Sequence, residues 1–148
     1  MNIEAFLESS AAAVNAELKS RIGEIPACHP RLREAMLYSV DAGGKRLRPA
    51  LLTASYGIFG GDHRRVLRAA AAVEMVHTYS LIHDDLPAMD DDDYRRGKPT
   101  CHKKFGEGIA VLAGDALLTY AFELLTGGRD PAVNNEIIRS LAEAIGSN

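Results

Sequence analysis

With 148 residues the chain has the length of one domain and can bury roughly 70% of the surface its unfolded form exposes. A net charge of −3 and the lack of any long basic run argue against a nucleic-acid partner. The two cysteines, Cys28 and Cys101, lie far apart without C-x-x-C spacing, which argues against a zinc site and a disulfide framework and fits a reducing, cytoplasmic setting.

The chain opens with MNIEAFLESS, which places acids ahead of any apolar core, unlike the basic start of a signal peptide. From Asn2 to about Ile25, Ile3, Phe6, Leu7, Val14, Leu18 and Ile22 recur at helical spacings. This stretch is expected to be an amphipathic helix. Pro30 suits the first turn of a second helix running to about Val40. In DAGGKRLRP, residues 41–49, two glycines stop that helix and allow close backbone approach to a ligand, and Lys45, Arg46 and Arg48 place three cations in four residues. The segment reads equally as a phosphate grip or as a glycine cap with cations beside a helix end. A P-loop is excluded by Ser39 and Arg46 at positions that would need glycine and Ser or Thr.

Pro49 is expected to open a third helix running from Ala50 to about Phe59, with Asp62 as N-cap of the next. That fourth helix, from about His63 to His83 or beyond, is rich in alanine and should lie in the middle of a bundle. On it His77 and Asp84 are seven residues apart, about 20° round the axis and roughly 10 Å along it, so they point into the same space. His83 is turned about 100° from Asp84 and reads as structural or as support for a neighbouring ligand.

The densest chemistry lies in HDDLPAMDDDDYRRGKPT, residues 83–100, where six aspartates from Asp84 to Asp93 lead directly into Arg95, Arg96 and Lys98. Carboxylates are hard ligands suited to Mg²⁺, and arginine forks match phosphate oxygens, so the strip can hold a diphosphate between metal and guanidinium. Read alone, it is also compatible with an acidic turn on a charged surface. Asp84 and Asp90 lie about 240° apart on an ideal helix and can share a metal only if the helix ends or distorts between them, for which Pro87 gives a reason. An EF-hand fails, because Gly97 as its sixth residue would put Tyr94 and Arg96 at ligand positions.

Beyond a loop at 97–106, residues 107–126 are apolar nearly all round, as in a buried helix, and Asp115 within them reads as hydrogen-bonded in the core or as near the site, the first being the expectation. The most apolar window, Ile109 to Leu125, spans 17 residues and contains Asp115 and Glu123, short of a membrane helix. A last helix should run to about Ile145, with Gly146 as its stop. No strand-like alternation stands out. The expectation is a soluble all-α domain.

Taken together, GGKRLRP at 43–49, HTYSLIHDDLPAMD at 77–90 and DDYRRGKPTCHKKFGE at 92–107 resemble the trans-isoprenyl diphosphate synthases, above all the bacterial farnesyl diphosphate synthases. The resemblance covers essentially residues 1–148 and implies an all-α helical bundle of the isoprenoid synthase type, usually homodimeric, around a deep cavity. It implies that Asp84, Asp85 and Asp90 bind Mg²⁺ bridging to an allylic diphosphate, and that Arg95 contacts the same diphosphate. Lys45, Arg48, His77 and Arg96 would hold isopentenyl diphosphate. Tyr79 and Ser80 would form the floor that limits product length, bulky Tyr79 pointing to a fifteen-carbon product, farnesyl diphosphate. Family members are about twice this length and carry a second aspartate-rich motif, whereas no paired aspartates follow Asp93 here. The expectation is therefore the N-terminal half of such a domain, probed either as part of a prenyltransferase inactive alone or as a non-catalytic Mg²⁺ and diphosphate binding module that partners a full-length synthase. Self-association through apolar helix faces is expected.

Overall fold

Local caps explain where three of the helices begin in the computed structural model, which describes residues 2–128 and 130–147. Asn2 accepts the backbone N–H groups of Glu4 and Ala5 to start α1 (Ile3–Gly23), and His29 caps α2 (Pro30–Val40) with Pro30 in its first turn. The backbone of Arg46 turns into α3 (Leu47–Ile58), and Asp62 caps a short 3₁₀ turn, His63–Val66, that leads into α4 (Leu67–Asp84). A two-residue hairpin, β1 (Tyr94–Arg95) and β2 (Lys98–Pro99), is followed by α5 (Cys101–Phe105), α6 (Glu107–Thr126) and α7 (Pro131–Ile145). Asp130 caps α7 by accepting from the N–H of Ala132 at 2.9 Å.

The organising pair is α4 against α6. Ala70, Ala71, Ala72 and Met75 on one helix and Ala110, Ala113, Leu117 and Ala121 on the other are fully buried, and such small side chains let the axes approach closely. Gly114 is needed at this seam, since a Cβ there would collide with the His83 ring. On the opposite side α1 contributes Val14, Leu18 and Ile22, and α2 contributes Met36 and Val40. Truncating Met75 or Leu117 to Ala would cost about 2–5 kcal/mol, because both are fully buried and the removed atoms leave a cavity.

The architecture is all-α, with α4 in the middle of the bundle as expected, and the departures are local. Helix α3 starts at Leu47 rather than Ala50, because a proline in the first turn gives up no helical hydrogen bond. The fourth helix begins at Leu67, its expected first turn being 3₁₀. The loop expected at 97–106 instead holds β2 and α5, and the hairpin turns at Arg96 and Gly97, both with positive φ (52° and 77°), the signature of a two-residue type I′ turn. Helix α6 is not buried all round: Leu112 is 53% exposed, and Asp115 lies at the surface, contrary to expectation, 3.8 Å from the His83 ring. By length and composition the full α6 could cross a membrane, which the 17-residue window did not indicate, but here it packs as the core partner of α4. Ile3, expected on the apolar face of α1, is 66% exposed.

Candidate functional site

Helix α4 brings its last residue, Asp84, to the edge of the site and then stops. Asp85 forms the C-cap, and the chain folds back so that the N–H groups of Met89 and Asp91 both bond the Leu86 carbonyl. In the same reversal the Asp90 N–H donates to the Asp84 carbonyl at 2.8 Å. The break that the spacing of Asp84 and Asp90 demanded is therefore present, and it places the two residues side by side.

Their carboxylates have no ion pair or hydrogen bond among the described residues. Two open hard-oxygen donors fit Mg²⁺, an ion that keeps several waters and takes one or two protein carboxylates. Asp85 is differently placed. It is 3% exposed and accepts a fork from Arg95, with Nε at 2.8 and 3.0 Å from its two oxygens and Nη2 at 2.6 Å. Hydrogen bonding to Asp85 raises the already high proton affinity of Arg95, so the guanidinium stays charged. The three donors that do converge, within 4.8 Å, are Asp91, Asp93 and His102. Asp93 there is paired with Lys103 at 2.6 Å, and the His102 ring meets the Thr100 hydroxyl at 3.1 Å, so this group ties the hairpin to α5.

The cations come from the start of α3 and the turn before it, and from the hairpin. Lys45 and Arg48 are exposed on either side of Arg46, which is turned inward. The Arg96 guanidinium lies against Gly44, where a Cβ would collide with it, so the second glycine of the pair admits the arginine. His77 sits between these groups. Burial, and then the neighbouring charge of Arg48, lowers its pKa from the ordinary 6.5; Arg96 and Arg46 add to the effect and Glu74 opposes it. The imidazole is therefore neutral at pH 7, with one N–H to donate.

Two cavities flank His77. The smaller, about 40 Å³, lies among His77, Asp85, Arg95, Arg96, Arg46 and Glu74 and is roomy enough for ordered water. The larger, about 390 Å³, has Arg48 and His77 on its wall together with apolar Val73 and Val76, and with Tyr79 and Ser80. Leu141 and Ile145 of α7 complete that wall. Sequence reasoning missed those two, since only the fold shows which residues of α7 meet α4. It also missed Glu74, whose signal was a single charge in an alanine-rich apolar run.

Over residues 29–147 the sequence matches the family described as Polyprenyl synthetase. It is 51% identical to a farnesyl diphosphate synthase of Geobacillus stearothermophilus, over 99% of this chain and 50% of that protein. It is 49% identical to the large subunit 1 of a heterodimeric geranylgeranyl pyrophosphate synthase of Arabidopsis thaliana, over 96% of this chain and 39% of that one. Among solved structures, an FPP/GFPP synthase from Zymomonas mobilis superposes with a TM-score of 0.92 at 45% identity, covering 98% of this chain and 53% of its own. The chain spans about half the length, or less, of the curated relatives it matches.

Proposed function

This chain belongs to the polyprenyl synthetase family, and on that premise we propose that it supplies the N-terminal part of a Mg²⁺-dependent prenyltransferase. The reaction joins isopentenyl diphosphate to dimethylallyl and then geranyl diphosphate, giving farnesyl diphosphate. The observation that supports this most is that α4, the helix that ends in open carboxylates, also lines an apolar cavity with Arg48 and His77 on its wall. Open carboxylates end α4, cations meet at His77, and Val73, Val76, Leu141 and Ile145 line the space between α4 and α7.

Bound Mg²⁺ would neutralise charge on the departing diphosphate. The residues that would hold it are Asp84 and Asp90. Arg95, fixed by Asp85, adds a preoriented positive charge to the carboxylate side, where negative charge develops as the allylic C–O bond breaks. Lys45, Arg48 and Arg96 bind the second diphosphate, and neutral His77 donates a hydrogen bond to it. The isopentenyl double bond attacks the allylic cation and a proton is then lost. Apolar walls keep water away from the cation, as closed active sites do for other reactive intermediates.

In this reading the chain alone has little condensing activity, and the free thiols of Cys28 and Cys101 suit a cytoplasmic setting. The test is a condensation assay with isopentenyl and dimethylallyl diphosphates, run on the purified chain alone and after mixing with a separately expressed C-terminal half of a relative. Activity only in the mixture is the expected result. Failure of the chain to bind either diphosphate by calorimetry would leave the reading without support. The alternative, a non-catalytic partner of a full-length synthase, draws on the exposed apolar residues of α3 and predicts a stable complex without new activity.

A further inference from the structure

Of the three cations in KRLR, the fold turns one inward, where with Glu74 it lines the smaller cavity beside His77 while its neighbours stay exposed. Arg46 is 5% exposed, and its backbone lies in the left-handed region (φ 49°, ψ 37°), which a side-chain-bearing residue keeps only where its surroundings hold it. Those surroundings are three helices. Nε donates to Asn15 Oδ1 of α1 at 2.8 Å, Nη1 donates to Glu74 Oε1 of α4 at 2.7 Å, and Nη2 donates to the Val40 carbonyl at the end of α2. The Arg46 and Glu74 side chains are each 4% exposed.

A buried ion pair is weak evidence for stability, because an apolar pair of the same shape often does as well. The helices that Arg46 joins are already held by Val14, Leu18, Met36, Val40 and Met75. What the pair adds is a fixed point inside the turn at 41–46. The chain enters that point from Lys45 and leaves it toward Arg48, so the inward turn of one cation sends its neighbours outward. Glu74 stands one turn before His77 on α4, about 4.5 Å along the axis. A single helical turn therefore carries both the anchor of the cation loop and the histidine the loop must meet.

We propose that Arg46 is a positioning residue, which through Glu74 holds Lys45 and Arg48 in register with His77 so that they converge on one diphosphate. The inference rests on the function proposed above. A lysine cannot take the place of Arg46, because one ammonium does not reach three acceptors set in different directions as the planar fork does. The carboxylates Asp84 and Asp90 lie outside this network, so their metal-dependent binding is independent of it.

The experiment is calorimetry on the chain with two ligands: isopentenyl diphosphate without metal, and dimethylallyl diphosphate with Mg²⁺. For Arg46→Met, isopentenyl diphosphate binding is expected to weaken at least tenfold while Mg²⁺-dependent dimethylallyl diphosphate binding stays within twofold. Glu74→Gln and Arg46→Lys should weaken the first ligand less but with the same selectivity, and they carry the comparison if Arg46→Met does not fold. Helical circular dichroism establishes folding. Equal weakening of both ligands, or unchanged isopentenyl diphosphate binding by a folded variant, overturns the positioning role. Lack of isopentenyl diphosphate binding by the unsubstituted chain overturns instead the functional reading beneath it.

Discussion

Arg95 grips Asp85 with two nitrogens at 2.6 to 3.0 Å, so the second aspartate of the pair at the end of α4 orients an arginine instead of facing open space like its neighbour. Removing the carboxylate leaves a guanidinium, with 29% of its side chain exposed, without its fork. Water recovers part of that loss. Asp85→Ala is expected to destabilise the fold by about 1–3 kcal/mol, below the penalty of a fully enclosed pair. Asp84→Ala should do the opposite: its charge sits at the unfavourable negative end of the α4 dipole and has no ion pair among the described residues, so its loss should be neutral or stabilise by about 0.3–1 kcal/mol. Urea melts of the two variants are the measurement. A loss for Asp84→Ala as large as that for Asp85→Ala would contradict this division of labour.

Because the Asp84 and Asp90 carboxylates have no ion pair or hydrogen bond among the described residues, Mg²⁺ is expected to bind them and to raise the melting temperature with the logarithm of its concentration above Kd. Asp84→Ala and Asp90→Ala should each remove that rise and the Mg²⁺ dependence of allylic diphosphate binding. Thermal melts with 0 and excess Mg²⁺ decide it. A rise that survives in both variants would assign the metal elsewhere.

The helical architecture was legible because its signals are local. Pro30 in the first turn of α2 and Gly146 at the end of α7 mark those helix ends through their own backbone chemistry, and the two ends lie where those residues put them. The hairpin was not legible, since each strand is two residues long and its only cue is Arg96-Gly97, a turn that could equally be loop. Arg46 and Arg48 look alike in sequence. Which one faces inward depends on a carboxylate 28 residues further on, a relation no local pattern contains. Asp115 was misplaced for a related reason: a helix apolar on every side does not disclose which face has a partner.

His77 should make the fold and the ligand sensitive to acid. Its folded pKa lies below the unfolded value of 6.5, so the folded state binds fewer protons than the unfolded one across the interval between them. Stability from this group is therefore full above the unfolded value and declines as pH falls through the interval. Bound diphosphate places negative charge beside the ring and should raise its pKa, so binding near pH 6 takes up a proton. Calorimetry at that pH in two buffers of different ionisation enthalpy gives the proton count. Net release, or the same uptake by His77→Asn, would exclude His77 as the source.

The exposed side of α3 should drive self-association. Leu47, Leu51 and Ile58 share one helical stripe at 48%, 68% and 81% exposure, and Phe59 follows at 88%. A contiguous apolar patch of this kind normally marks an interface. Light scattering is expected to show dimers or larger species, and Leu51→Lys with Phe59→Lys should shift them toward monomer. A monodisperse monomer without dye binding would contradict it.

The length of the product is argued from Tyr79. Its ring stands on the wall of the larger cavity, edge-on to His83 at 5.7 Å between centroids, one and a half turns of α4 before Asp84. At about 1.5 Å per residue that is roughly 7.5 Å below the first carboxylate. Ser80 beside it is too small to block a growing chain, and Val73 and Val76, further down, leave the cavity apolar and open. In the proposed reaction Tyr79 would therefore be the first bulky side chain on this helix that an elongating prenyl tail meets. In a full-length synthase carrying this chain as its N-terminal part, Tyr79→Ala is expected to shift the main product from fifteen carbons to twenty or more, with little effect on initial isopentenyl diphosphate binding. Chromatography of the dephosphorylated products is the measurement, and an unchanged fifteen-carbon product would place the floor elsewhere, with Leu141 and Ile145 on the facing helix as the next residues to substitute.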